Sequence, residues 1–137
     1  MNTVKAFLVE DSLVIRESVI EALEELAPIK IVGVADDEPS AIAWLNANGE
    51  SCDLLLIDIQ LKRGSGLGVL RAASDLPRPL AIVVLTNYAN ALMREHCMRL
   101  GAHRVFDKST EFEPFLEYCV QLANRETGPG NLSGTAI

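Results

Sequence analysis

The sequence predicts an α/β fold: a five-stranded parallel sheet, doubly wound, with helices on both faces. Three observations predict it. Short apolar runs with little alternation end in acidic or hydroxyl residues. Segments with helical spacing of apolar residues lie between them. The two kinds of segment alternate five times along 137 residues. A strand covered on both faces needs no in-and-out alternation, and strand–helix alternation favours parallel pairing through right-handed crossovers.

Each element has its own reason. The run Val4-Lys5-Ala6-Phe7-Leu8-Val9 reads as the first strand and closes on Glu10-Asp11. Asp11-Ser12 can cap a helix whose inward positions are Ile15, Val19, Ala22, Leu23 and Leu26, stopped by Pro28. Residues 29–35 are β-branched and strand-like. Asp37 and Pro39 open a second helix with Ile42 and Leu45 inward, and Asn48-Gly49 closes it. The apolar run of residues 54–57, between Asp53 and Asp58, is the third strand, followed by a Lys62-Arg63-Gly64-Ser65-Gly66 loop and a short helix at 67–74. Residues 80–85 form the fourth strand, closing on Thr86-Asn87. A helix over 90–100 turns Leu92, Met93, His96 and Leu100 to one side and stops at Gly101. Residues 103–106 make the fifth strand, before Asp107-Lys108-Ser109. The last helix has the strongest periodicity, with Phe112, Phe115, Leu116, Cys119, Val120 and Ala123 on one face. Thr110 and Glu113 have capping-box spacing, although Pro114 allows a later start. One domain over 1–125 and a flexible Gly/Pro/Ser-rich tail over 126–137 are expected.

Composition narrows the function. Hydrophobic residues make up 49% and charged residues 23%, which excludes disorder as the main state. Net charge is −7, the wrong sign for a nucleic-acid partner. No apolar run approaches the roughly 20 residues of a membrane span, and the N-terminus lacks a signal-peptide layout. Cys52, Cys97 and Cys119 lack metal-ligand spacing and read as reduced thiols of a cytoplasmic protein.

In parallel α/β sheets, ligands bind beyond the carboxyl ends of the strands. Those ends carry Glu10, Asp11, Asp58, Thr86 and Lys108. Clustered carboxylate oxygens suit Mg²⁺, while a hydroxyl and an ammonium suit a phosphoryl group. Structural need alone does not gather like-charged carboxylates without a cation. The simplest chemistry is attack by an Asp carboxylate on a phosphoryl donor. His96 and His103 stand alone, and Trp44 reads as packing. The Gly64-Ser65-Gly66 turn lacks the Lys-Ser/Thr of a phosphate loop.

Over residues 4–125 the sequence resembles the receiver domain of two-component response regulators, which have a flavodoxin-like (βα)5 fold. The resemblance is carried by Phe7-Leu8-Val9-Glu10-Asp11-Ser12, by Leu56-Ile57-Asp58 with Gly66 eight residues on, by Val84-Leu85-Thr86, and by Gly101-Ala102 followed by Asp107-Lys108-Ser109. It implies that Asp58 is the phosphoacceptor, and that Asp11 and Asp58 bind Mg²⁺ directly. It further implies that Glu10 helps through metal-bound water, that the Gln60 backbone carbonyl completes the metal site, and that Thr86 and Lys108 contact the phosphoryl group. A histidine kinase or phosphotransfer protein is then the donor, and the chain is a phosphoacceptor rather than an enzyme, at most catalysing its own phosphorylation and dephosphorylation. With about a dozen residues after Arg125, a stand-alone monomer or weak dimer is expected. It would signal by protein contact through the fourth helix, fifth strand and fifth helix.

Four residues depart from the family's pattern. Lys62 replaces a frequent Pro, giving a more basic and less rigid loop. Asn87 replaces a small residue and narrows access to the phosphoryl group. Ser109 replaces a Pro and disfavours a cis peptide. Val105 stands where an aromatic ring usually swings inward, and Phe106, one step along the strand, faces the other way. Val105 favours an alternative, a constitutive receiver-like interaction module without a switch; the intact set of Glu10, Asp11, Asp58, Thr86 and Lys108 argues against it. An aspartyl-phosphate hydrolase would want a second Asp where Gln60 stands.

Overall fold

Five strands, β1 (Val4–Val9), β2 (Ile29–Ala35), β3 (Leu54–Ile57), β4 (Ala81–Thr86) and β5 (Arg104–Asp107), pair in parallel in the order β2-β1-β3-β4-β5. The computed structural model describes residues 3–126. Between the strands run α1 (Leu13–Leu26), α2 (Glu38–Asn48), α3 (Gly66–Ser74) and α4 (Ala91–Arg99); α5 (Phe112–Glu126) follows β5. A 3-10 turn at Gly49–Ser51 follows α2. The expected tail, apart from Glu126 at the end of α5, lies outside the described residues.

All four residues of β3 are buried, as a strand flanked by β1 and β4 and covered on both faces requires. Successive side chains face opposite ways, so the sheet divides the core in two. Phe7, Leu55, Ile57, Val84 and Val105 pack with Leu45, Val69, Leu70 and Cys97, from α2, α3 and α4. Leu8, Leu54, Leu56, Val83 and Phe106 pack with Val19, Leu23, Phe115 and Cys119, from α1 and α5. Val105 and Phe106 therefore lie on opposite faces of the sheet, as the sequence predicts. The pairing of β1 with β2 shifts register between Ala6 and Phe7. Beyond that shift, Gly33 leaves room for Trp44, which stacks on Phe7 with ring centroids 4.0 Å apart.

Four helices begin with a side-chain cap. Ser12, Asp37, Ser65 and Asn90 accept the N–H groups of Ile15, Ser40, Leu67 and Met93, at 3.3, 2.9, 3.0 and 2.8 Å. The start of α5 differs from the expected Thr110–Glu113 box. Asp107 accepts the N–H groups of Ser109 and Thr110 at 2.8 and 3.0 Å, and Glu111 accepts that of Asp107 at 2.8 Å. Pro114 then falls in the first turn, where an N–H would have no helical partner.

Some expected inward faces are corrected. In α1, Leu26 is 56% exposed. In α2, Ala41 and Leu45 are the buried residues, and Ile42 is half-buried. In α4, Cys97 is buried, with Met93 and Leu100 packed beside it, while Leu92 is 78% exposed and His96 is exposed. Met93, Cys97 and Leu100 sit at i, i+4 and i+7, a stripe turned about one residue from the expected one. A short helix with apolar residues on several sides fits either orientation, and docking selects one. His103 is structural: its Nδ1 accepts the Ile82 N–H at 3.0 Å.

The core assignment has a direct check in urea unfolding. Phe115→Ala should cost about 3–5 kcal/mol, the usual range for emptying a buried aromatic site. Leu92→Ala should change stability by less than about 0.5 kcal/mol, as an exposed position would.

Candidate functional site

Parallel pairing brings the strand ends to one rim. Val9 pairs with Ile57, Ile57 with Val84, and Thr86 with Asp107. The residues at or just beyond these positions are Glu10, Asp58, Thr86 and Lys108. All four are largely withdrawn from solvent: Glu10, Asp58 and Thr86 are buried, and the Lys108 side chain is 8% exposed.

The Lys108 ammonium joins two of the carboxylates. It donates to Asp58 Oδ2 at 2.8 Å and lies 3.0 and 3.2 Å from the two oxygens of Glu10. Glu10 Oε2 also accepts the Ser12 N–H at 3.0 Å, and Asp58 Oδ1 accepts the Gln60 N–H at 3.3 Å. Burial pushes the Glu10 and Asp58 carboxyls above their ordinary values, against the pull of Lys108 and the backbone N–H donors. Burial also works to lower the Lys108 ammonium, but the hydrogen bonds and charges of Asp58 and Glu10 outweigh it and hold the group above its usual range. Lys108 therefore stays charged.

Asp11 is exposed at the mouth of the site. Its carboxylate, with those of Glu10 and Asp58, offers oxygens that all lie within 4.8 Å of one another. Against these three carboxylates the site sets the single ammonium of Lys108. A cluster of hard oxygen donors with excess negative charge has the chemistry a divalent cation such as Mg²⁺ requires. Glu10 and Asp58 are both engaged by Lys108 and by one backbone N–H each, whereas Asp11 stands exposed beside them.

The backbone beside Asp58 is fixed by close approach. The Gly66 N–H donates to the Ile59 carbonyl at 2.8 Å, and Gln60 bridges Ser65 in antiparallel fashion. A Cβ on Gly66 would overlap the Asp58 carbonyl, so only glycine lets α3 begin here. The Thr86 hydroxyl accepts the Tyr88 N–H at 3.2 Å, at the start of the loop leading to α4. Asn87 lies opposite Ser109, whose hydroxyl is 3.5 Å from Asn87 Oδ1. The peptide between Lys108 and Ser109 is trans.

Sequence reasoning missed two groups around this site. Glu38, in the first turn of α2, accepts the Ser65 N–H at 2.9 Å and so holds the loop after Asp58. Arg94, on α4, bonds to three segments beyond its helix. Neither carries a signal in the sequence, because both act on partners that only the fold brings near.

Comparison with known proteins agrees with this geometry. The family model for the response regulator receiver domain matches residues 6–119. The response regulator UvrY of Escherichia coli O157:H7 is 27% identical over 99 residues, covering 72% of this chain and 44% of that protein. Protein-glutamate methylesterase/protein-glutamine glutaminase 1 of Methanospirillum hungatei is 31% identical over 101 residues, covering 72% of this chain and 29% of that protein. The chain thus spans less than half the length of these curated relatives. Among solved structures, the phosphorylated cyanobacterial phytochrome response regulator RcpA superposes with a TM-score of 0.74 at 26% identity, covering 88% of this chain and 91% of that one. Among the described residues no helix is long and apolar enough to cross a membrane. With its family model matched over most of its length, the chain belongs to the response regulator receiver domain family.

Proposed function

We propose that Asp58 accepts a phosphoryl group from the phosphohistidine of a histidine kinase or phosphotransfer protein, and that the chain signals through a change in protein contact at α4, β5 and α5. The carrying observation is the buried Lys108 ammonium, bonded to both Asp58 and Glu10 on the rim that also holds Thr86. A constitutive module would have no use for a buried charge cluster at this rim.

In the transfer, an Asp58 carboxylate oxygen forms a bond to phosphorus as the donor's P–N bond breaks. The electron pair leaves with the imidazole nitrogen, which takes up a proton, and Asp58 becomes an acyl phosphate. Lys108 is placed to move its hydrogen bond from the carboxylate to a phosphoryl oxygen, where a charge-assisted bond is strong. Thr86 offers a hydroxyl from the adjacent strand end. Mg²⁺ would be held by Asp11 and Asp58 directly, by Glu10 through water and by the Gln60 carbonyl, and when bound it would supply positive charge to the phosphoryl oxygens. All three cysteines are free and buried, in keeping with a cytoplasmic protein.

Val105 shapes how the signal leaves the site. It is buried on the α4 side of β5 and carries no ring to swing. Phe106 is locked on the α5 side, with ring centroids 5.9 Å from both Phe115 and Tyr118. The movable part is the 86–90 loop and the start of α4, where Tyr88 is 55% exposed.

Three measurements test this reading. Incubation with Mg²⁺ and acetyl phosphate should add one phosphoryl mass, and Asp58→Asn should abolish it. A base-labile, Mg²⁺-dependent adduct that persisted in Asp58→Asn would refute the assignment. In thermal melts, Mg²⁺ should stabilise the fold, by roughly 2.7 kcal/mol at about a hundredfold excess over Kd. Asp11→Ala should remove most of that gain, and an equal gain in the variant would count against the site. Under Mg²⁺ and beryllofluoride, amide NMR shifts should be large over residues 88–93 and small over 104–106, whereas the reverse pattern would contradict the route.

A further inference from the structure

The Arg94 side chain makes three hydrogen bonds, all to groups outside α4. Its Nε donates to the Ala89 carbonyl at 2.8 Å, Nη1 to the Val105 carbonyl at 2.8 Å, and Nη2 to Glu111 Oε1 at 2.9 Å. Two of these partners are anchored. Val105 pairs with Val84 inside the sheet, and Glu111 also accepts the Asp107 N–H. The third partner, Ala89, lies on the loop that carries Thr86 toward α4.

That loop is held at few points. The Thr86 hydroxyl accepts the Tyr88 N–H at one end, and the Asn90 N–H closes on the Tyr88 carbonyl at 2.9 Å. The Arg94–Ala89 bond ties it back to β5 and α5. When the Thr86 hydroxyl moves toward a phosphoryl group on Asp58, the Tyr88 N–H loses its acceptor in the present position. The bond to Ala89 then resists displacement of the loop, together with the long Ser109–Asn87 contact at 3.5 Å and the packing of Ala89 against the core.

We propose that Arg94 is a latch: its guanidinium holds the Thr86 loop in the resting position, and the Ala89 bond is released when Asp58 is phosphorylated. This rests on the assignment of Asp58 as phosphoacceptor. The latch supplies by hydrogen bonding a link that Val105, lacking a ring, does not supply by packing. Arginine suits the task because its planar fork presents several donors at fixed angles, so three acceptors are met at once; the single ammonium of lysine has no such fork. A tie present only in the resting state shifts the two-state equilibrium toward rest, and any ligand favouring the other state works against it.

The test is an NMR titration of the full chain with beryllofluoride in Mg²⁺, following the Arg94 Nε–H resonance and the loop amides. In the wild type the Arg94 Nε–H resonance should shift on saturation. Arg94→Met should reach half-saturation at about 3- to 10-fold lower beryllofluoride, the change expected from losing one net hydrogen bond in the resting state. Glu111→Gln, which weakens one anchor, should lie between the two. An unmoved Arg94 resonance at saturation overturns the latch, as does equal or weaker affinity in Arg94→Met. Should Arg94→Met not fold, as judged by the fluorescence of the single tryptophan, Trp44, the wild-type resonance and Glu111→Gln decide the matter. A wild-type chain that takes neither mimic nor phosphoryl mass overturns the Asp58 assignment and the latch with it; one that takes both with Arg94 unmoved overturns the latch alone.

Discussion

The Lys108 ammonium lies 2.8 Å from Asp58 and 3.0 Å from Glu10, partners 50 and 98 residues away in the chain. Each group is nearly excluded from water, and an isolated buried ion costs several kcal/mol even after relaxation. The three are tolerable only together, so β1, β3 and β5 must end at one level. The parallel register meets that demand, with Val9 beside Ile57 and Thr86 beside Asp107. Electrostatics and sheet geometry therefore constrain each other. The excess negative charge that remains, with Asp11 at the mouth, is of the kind a divalent cation requires.

Polar ties take over where this chain departs from its family's pattern. Lys62 pairs with Asp36 at 3.0 Å and Arg63 with Asp37 at 3.5 Å, but the lysine and arginine side chains are 56% and 74% exposed. Such pairs contribute about 0–1 kcal/mol each. The firmer hold on the loop after Asp58 comes from hydrogen bonds to its backbone groups. The Glu38 N–H donates to the Arg63 carbonyl at 2.9 Å, the Glu38 carboxylate accepts the Ser65 N–H, and Gln60 bridges Ser65. A loop without proline is thus fixed against the first turn of α2. On the opposite flank, Arg94 gathers the β4–α4 loop, β5 and the start of α5 around one guanidinium. Both devices use a side chain of one helix to satisfy backbone groups of a neighbouring loop.

The sheet was legible because its signal is local and strong. The apolar run from Leu54 to Ile57 has one sensible fate, a central covered strand, and the acidic or hydroxyl residues that end the runs mark the ligand-binding rim. Gathering of Glu10, Asp11, Asp58 and Lys108 followed from topology alone, since parallel strands bring like ends together. Phe106 was placed on the face opposite Val105 by the two-residue period of a strand. Helix faces were less secure: α4 and the Leu100 that caps its end carry Leu92, Met93, Cys97 and Leu100 within about two and a half turns, and their spacing does not decide which of them faces inward.

By itself, then, the sequence determined the alternation of elements, the parallel sheet and the identity of the charged rim, because periodicity and strand termini are properties of contiguous residues. Tertiary structure alone decided the rest. It turned α4 so that Cys97, not Leu92, meets the core, brought Glu38 under the loop after Asp58, and set Arg94 across Ala89, Val105 and Glu111. The physical reason is common to all three. Each depends on how two elements distant in sequence settle against each other, and a side chain's partners are fixed by that docking rather than by its neighbours in the chain.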